Sequence, residues 1–312
     1  MKTLLLKAGA VLFSAGLATN AMASTSDYAK TRYPIVFAHG VFGFDKLGPV
    51  DYWYGIPQDL RANGAEVFVT QVSPFNSSEV RGEQFLRQVE DILAITGAEK
   101  VNIIGHSQGA QTVRYAANVA PDKIASATTV GGDNFGTPVV DFVYGIQQSP
   151  SMGKAFTVIM NFLTGAYNSL LQLQHGTTYP RNAEAALKTL STPGALAFNA
   201  LYPAGLPKNK CDEGDYEANG VHFYSWNGGS PFTSPLDPAD YVFTLTALFF
   251  KGESSDGLVG RCESHFGKVI RDDFKMNHLD EINHFFGLVG NGKPSPKEIF
   301  REHANRLKLE NL

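Results

Sequence analysis

Like charges never gather into a block in this sequence. Lys and Arg number 26 against 30 Asp and Glu, a formal charge of −4. Nothing here would neutralise a row of phosphates, so nucleic acid is not an expected partner. Repeats and low-complexity tracts are absent, which removes solenoids and arrays from consideration. Cysteine is scarce, with Cys211 and Cys262 alone. The apolar stretch from Ala8 to Leu17 is too short to span a bilayer.

What is present begins with that same stretch. Lys2 and Lys7 open it, and Ala21-Met22-Ala23 follows it in the small-x-small form of a cleavage site. Residues 1–23 therefore read as a signal peptide, which predicts a secreted, extracellular protein. Its removal takes away two lysines and shifts the formal charge from −4 to −6. The length of residues 24–312 suits one large α/β domain or two small ones, and a single domain is the expectation. At 43% hydrophobic and 12% aromatic residues, the chain can bury a sizeable core. An even pair of cysteines in an exported chain reads as a disulfide, with two buried free thiols as the other reading. Such a bridge would close a loop of about 50 residues and contribute roughly 4 kcal/mol in the chain-entropy picture.

Along the chain, short apolar runs alternate with helical patterns. Pro34–Ala38 and Glu66–Val72 read as strands. Glu79–Thr96 reads as a helix stopped by Gly97, and Val101–Ile104 as a third strand. A helix over Ala110–Val119, closed by Pro121, and a strand over Ala125–Val130 follow. Strand, helix, strand, helix with short links predicts a mostly parallel sheet covered on both faces, with its site beyond the carboxyl ends of the strands. Between Ser149 and Gln174 the pattern changes. Ala155–Gln174 holds no charged residue, and Phe156, Ile159, Met160, Leu163, Tyr167, Leu170 and Leu171 recur at helical steps. This predicts an amphipathic helix with a wide apolar face. Val221–Trp226 and Thr244–Phe250 read as further strands.

Gly105-His106-Ser107-Gln108-Gly109 matches G-x-S-x-G. The pentapeptide alone is weak. An apolar strand just before it and a helix just after it make it a candidate nucleophile turn, with Ser107 strained and its hydroxyl pushed off the sheet. The helix start would aim the Gln108 amide at a developing oxyanion. A second donor is expected from the loop after the first strand, His39-Gly40-Val41, with Val41 supplying the amide.

Six histidines follow Ser107. His175 precedes most candidate acids. His222 alternates within a strand, and His303 sits in a charged helix, Glu298–Lys308, as solvated surface. His265, His278 and His284 remain. Of these, His278 stands in a polar turn before an apolar helical run from Leu279 to Val289, where a base could reach the serine. Asp256, just after the late apolar run, is the best candidate for the acid that orients the base; a plain surface Asp-Gly turn is the alternative.

At this point the chain resembles the secreted bacterial true lipases of the Pseudomonas and Burkholderia type, closest to the Pseudomonas subgroup, within the α/β-hydrolase superfamily. The resemblance runs through Tyr33–Val36 leading to His39-Gly40, and through Asp51-Tyr52-Trp53 and Glu79–Glu83. It continues in Gly105–Gly109, Tyr224–Trp226, Leu236–Pro238, Asp256–Gly260 and Asn277–Glu281. It implies an α/β-hydrolase fold with a helical lid inserted around residues 149–176. It places Ser107, Asp256 and His278 as the triad of a long-chain triacylglycerol lipase. It also implies one structural Ca²⁺ held by the carboxylates of Asp237 and Asp280 and the carbonyls of His284 and Leu288, and a Cys211–Cys262 disulfide. A lipid–water interface, a dedicated periplasmic foldase and a monomeric state complete the expectation. Activity on shorter soluble esters, or a non-catalytic hydrolase-fold binding protein, are the other readings. The turn Gly132–Thr137, Ala110 and His284 depart from the pattern of this group.

Overall fold

In the computed structural model, residues 26–176, 178–284, 286–290 and 294–312 are described. The expected signal peptide lies outside them. Strands β1 (Ile35–Ala38), β4 (Val67–Val69), β5 (Val101–His106), β6 (Ile124–Val130), β8 (Val221–Gly228) and β9 (Lys268–Phe274) form one sheet in the order β4-β1-β5-β6-β8-β9. Every pairing among these six is parallel. A short antiparallel strand, β7 (Glu217–Ala218), joins the beginning of β8. A two-stranded hairpin, β2 (Lys46–Leu47) and β3 (Val50–Asp51), stands apart on the loop after β1.

Burial on both faces explains the unbroken apolar strands. Alternate side chains of β1 enter different cores. Phe37 joins Trp53, Ile104, Val130, Trp226 and Phe300 under α1 (Ile56–Ala62) and α9 (Pro296–Leu309). Val36 and Ala38 join Phe85, Ile103, Val113 and Phe223 under α2 (Ser78–Thr96) and α3 (Gln108–Val119). Each fully buried side chain of this size contributes about 1.5–3 kcal/mol of transfer free energy. Helix α2 is bounded as its sequence dictates: Ser77 caps its start on the Val80 N–H, and Gly97 ends it at φ 68°.

Three local expectations are corrected. Thr244–Phe250 is not a strand. It is the end of α8 (Pro238–Thr246) and a following 3₁₀ turn, Ala247–Phe250. The Asp237 side chain caps α8 on the Ala239 N–H, and Pro238 occupies the first turn, so the helix is set before the apolar run begins. Leu279–Val289 is not a helix either: a single 3₁₀ turn, Asp280–Ile282, ends at Asn283 with φ 64°, and Phe286 and Gly287 also adopt positive φ. Finally, His303 is 1% exposed rather than solvated. Its ring lies on Trp226 and Tyr224, and its Nε2 is 2.9 Å from Thr128 Oγ1.

The uncharged segment forms most of α5 (Gly153–His175), after α4 (Pro138–Gln147). Helices α6 (Ala183–Leu190) and α7 (Thr192–Leu201) follow. Thr164 and Leu171 of α5 are buried, whereas Ile159, Leu163, Leu170 and Leu173 stay exposed along one stripe. Among the described residues no helix is long and apolar enough to cross a membrane.

Candidate active site

Strand β5 and helix α3 meet at Ser107, whose φ of 55° and ψ of −129° lie in a region that non-glycine residues avoid. The crossing is too close for side chains. A Cβ on Gly105 would lie 2.1 Å from the Gly109 carbonyl oxygen, and one on Gly109 would lie 2.2 Å from that of Ala38. Both glycines are therefore required by space. The Ser107 amide is tied to the Val130 carbonyl at 3.0 Å.

His278 sits on the loop after β9, 3% exposed. Its Nδ1 is 2.7 Å from Asp256 Oδ2. The other Asp256 oxygen accepts the N–H groups of Leu258 and Val259, each at 2.7 Å. Ser107 and His278 line one cavity of about 390 Å³ with Val41, Phe42, Tyr52, Leu258, Ile282 and His284, and its walls are overwhelmingly apolar. His265, the third histidine open from sequence, lies elsewhere: its Nε2 is 3.0 Å from Asp272 Oδ2 and its Nδ1 is 3.0 Å from the Asp212 carbonyl.

Gly40 brings the loop after β1 against the nucleophile turn, since a Cβ there would be 2.8 Å from Ser107 Cβ. The Gly40 N–H donates to Tyr52 Oη at 2.9 Å, and the Phe42 N–H donates to the Pro74 carbonyl at 3.2 Å. Val41 lies between them. Beneath the loop, the buried Arg81 guanidinium donates to the carbonyls of His39, Gly40 and Ser73. Its burial lowers its pKa to about 10. His39 accepts the Val72 N–H on Nε2, so its Nδ1 donates to the Gly40 carbonyl. Burial first, and then Arg81, lower His39 to about 3.

A buried chain of hydrogen bonds links this loop to the His278 loop. Tyr52 Oη accepts from Gly40 and so donates to His106 Nδ1 at 2.7 Å, and His106 Nε2 donates to the His278 carbonyl at 3.0 Å. Burial, followed by the charge of His278, holds His106 well below the usual imidazole range. Glu281 Oε2 lies 3.5 Å from His106 Nε2, while Oε1 accepts the Gly228 N–H. Burial and the Asp256 charge push Glu281 well above the usual carboxylate range. His106, His278 and Glu281 are close enough together to suggest a metal site. The His106 and His278 nitrogens of that group already serve this chain and the Asp256 pair, so the cluster reads as a positioning network. Sequence reading did not single out Tyr52, His106, Glu281 or Arg81. All four fell inside motifs of the resemblance, but no spacing pointed to their contacts.

The loop carrying His278 has an acidic anchor. Asn277 Oδ1 accepts the N–H groups of Leu279 and Asp280, and Asn277 Nδ2 donates to Asp240 Oδ1. Asp240 Oδ2 accepts the N–H groups of Thr233 and Ser234. Asp237 and Asp280 are also fully buried, and Asp237 Oδ2 and Asp280 Oδ1 have no hydrogen-bond partner. Burial first, then the charges of Asp240 and Asp237, raise Asp280 to about 7. The His284 ring fills part of the cavity wall, its Nε2 2.8 Å from the Asp51 carbonyl. Leu288 is 43% exposed. A Cys211–Cys262 disulfide, Cα–Cα 4.4 Å, encloses Asp237, Asp240 and Asp256 in its loop.

A family model for the alpha/beta hydrolase fold matches residues 33–281. A triacylglycerol lipase of Vibrio cholerae is 48% identical across 96% of this chain and 94% of its own length. One from Pseudomonas fragi is 41% identical across 92% and 99%, and one from Burkholderia plantarii 39% identical across 95% and 91%. The solved lipase BlEst2 of Bacillus licheniformis in mature form covers 91% of this chain and 95% of its own, with a TM-score of 0.59 at 15% identity, a likeness of fold. With the Ser107 turn and the His278–Asp256 pair in place at one end of a parallel sheet, the chain belongs to the α/β-hydrolase family and, within it, to the bacterial lipases.

Proposed function

We propose that this chain is an extracellular triacylglycerol lipase that hydrolyses long-chain carboxylic esters through an acyl-enzyme on Ser107. The observation that carries the reading is the apolar cavity in which the strained Ser107 and His278 share a wall. His278 Nδ1 faces Asp256, which leaves Nε2 to take the Ser107 proton as Oγ attacks the ester carbonyl. Asp256 orients the ring and stabilises its charged form. The Gln108 amide, unpaired by its place at the start of α3, and the Val41 amide hold the oxyanion. His278 then passes the proton to the leaving alcohol, and water repeats the sequence on the acyl-enzyme.

The exposed stripe on α5 supports action at a lipid–water interface. In this reading α5 is a lid that covers the site in water and turns its apolar face to lipid. Export by the signal peptide and passage through a periplasmic foldase as a monomer belong to the same proposal, resting on the N-terminal pattern and the resemblance.

Calcium is its cofactor. The unpaired buried oxygens of Asp237 and Asp280 fit a hard dication, which takes carboxylates and carbonyls. The carbonyls of His284 and Leu288 would complete the protein ligands. Bound there, the ion supplies charge neutralisation and a tie between the α8 cap and the loop of the base.

The deciding experiment is ester hydrolysis by purified wild type and Ser107→Ala over substrates of rising acyl length, followed through the concentration at which droplets form. A jump at that point supports the lipase. A flat response makes the chain a soluble-ester carboxylesterase, and no serine-directed phosphonate adduct on Ser107 makes it a binding protein.

A further inference from the structure

Helix α5 grips the loop that carries Val41. The Tyr167 hydroxyl donates to the Phe42 carbonyl at 2.5 Å. The rings of Phe42, Phe75 and Tyr167 stack edge-on, with centroids 4.5 Å apart for Phe42–Phe75 and 5.5 Å for Phe75–Tyr167. Two turns further on, Gln174 accepts the Gly48 N–H and donates to the Lys46 carbonyl.

Phe42 needs that grip. Its φ is 55°, a conformation that bulky residues rarely adopt, and its side chain is 47% exposed, so core packing does not impose it. The anchors upstream come from the α/β body: Tyr52 on the Gly40 amide, Arg81 and His39 on the Gly40 carbonyl, Pro74 on the Phe42 amide. The anchor on the Phe42 carbonyl comes from α5. The strained residue directly after Val41 is thus held on one side by the sheet and on the other by the lid helix.

We propose that Tyr167 is a positioning residue for the oxyanion site, so that seating α5 on this loop and completing the Val41 donor are one event. The proposal rests on the acyl-enzyme reading above and names a control within it. It also gives the exposed stripe on α5 a catalytic consequence. A lipid surface that covers Ile159, Leu163 and Leu170 favours the seated helix, and the seated helix holds the donor.

The test is Tyr167→Phe in the full-length purified enzyme, which keeps the ring stack and removes the hydroxyl. On a water-soluble short-chain ester, kcat should fall about tenfold with KM within about twofold, a fraction of the 10²–10³-fold loss that follows outright removal of an oxyanion donor. Affinity for a trifluoromethyl ketone, which forms a charged tetrahedral adduct, should fall in parallel, with the thermal midpoint unchanged. Should Tyr167→Phe fail to fold, Gln174→Ala decides, with the same split at smaller size. Wild-type kcat in the folded variant, or a change in KM alone, overturns the proposal. A wild type that neither turns over nor takes a phosphonate on Ser107 overturns the acyl-enzyme reading beneath it instead.

Discussion

Asp256 holds His278 twice. Its carboxylate lies 2.7 Å from His278 Nδ1, and its backbone carbonyl accepts the His278 N–H at 3.0 Å. The acid therefore sets both the ring and the loop that carries the ring. Its own carboxylate is pinned by the Leu258 and Val259 amides, so it cannot swing away without breaking the turn that follows it.

Asp256→Asn preserves most of this geometry but replaces an acceptor with an amide that favours the wrong imidazole tautomer. We expect kcat to fall by about 10³–10⁴-fold with little change in thermal midpoint. Steady-state kinetics on a soluble ester together with calorimetry check this; a loss of tenfold or less would show that another group orients His278.

Calcium removal should act on the base loop first. Asp237 and Asp280 repel each other in the buried anchor, and chelation leaves Asp237 Oδ2 and Asp280 Oδ1 without a partner. We expect chelation to lower thermal midpoint and activity together, with both restored by added Ca²⁺. Asp280→Ala should lower both without Ca²⁺ rescue. Identical melting curves with and without chelator remove the ion from the account.

Acid should destabilise the fold through buried neutral histidine. His303 accepts from the Arg306 guanidinium on Nδ1, so its Nε2 donates to Thr128 Oγ1. Burial, and then the charge of Arg306, hold it well below the usual range. Below about pH 6.5 the unfolded chain takes up this proton and the folded chain does not, so stability rises with pH there and is lost as pH falls. His303→Gln cannot bind the proton in either state. Its unfolding free energy, measured by urea titration from pH 7 to pH 4.5, should fall less steeply than that of wild type; equal slopes would assign the acid response to other groups.

Reduction of Cys211–Cys262 frees a loop that contains three of the buried aspartates. For a sequence separation of 51, the chain-entropy picture puts the loss at roughly 4 kcal/mol. We expect the Cys211→Ala/Cys262→Ala enzyme to melt several degrees lower and to be more sensitive to chelators than wild type. Calorimetry with and without Ca²⁺ measures both effects.

Some of this molecule was legible because its causes are local. The Ser107 turn shows in sequence as strand, glycine, glycine, helix, and the clashes that demand those glycines lie within five residues of one another or against the adjoining β1. The parallel sheet follows from apolar runs separated by helical patterns. Thr244–Phe250 was misread because a short apolar run has no period of its own. Its helix was decided upstream, by the Asp237 cap and Pro238. His303 was placed correctly on a helix but on the wrong face, since its burial depends on Thr128, 175 residues away.

By itself the sequence determined the α/β alternation, the strained serine and the short list of partners it could have. Only the tertiary structure decided which polar groups meet: His278 with Asp256, His106 with the carbonyl of His278, Tyr167 with Phe42, and three aspartates beneath one loop. The physical reason is range. Backbone strain and periodic burial act between near neighbours, and their marks are written in order along the chain. A hydrogen bond or a buried charge is worth most between groups that folding has taken out of water together, and nothing in the order of residues records that company.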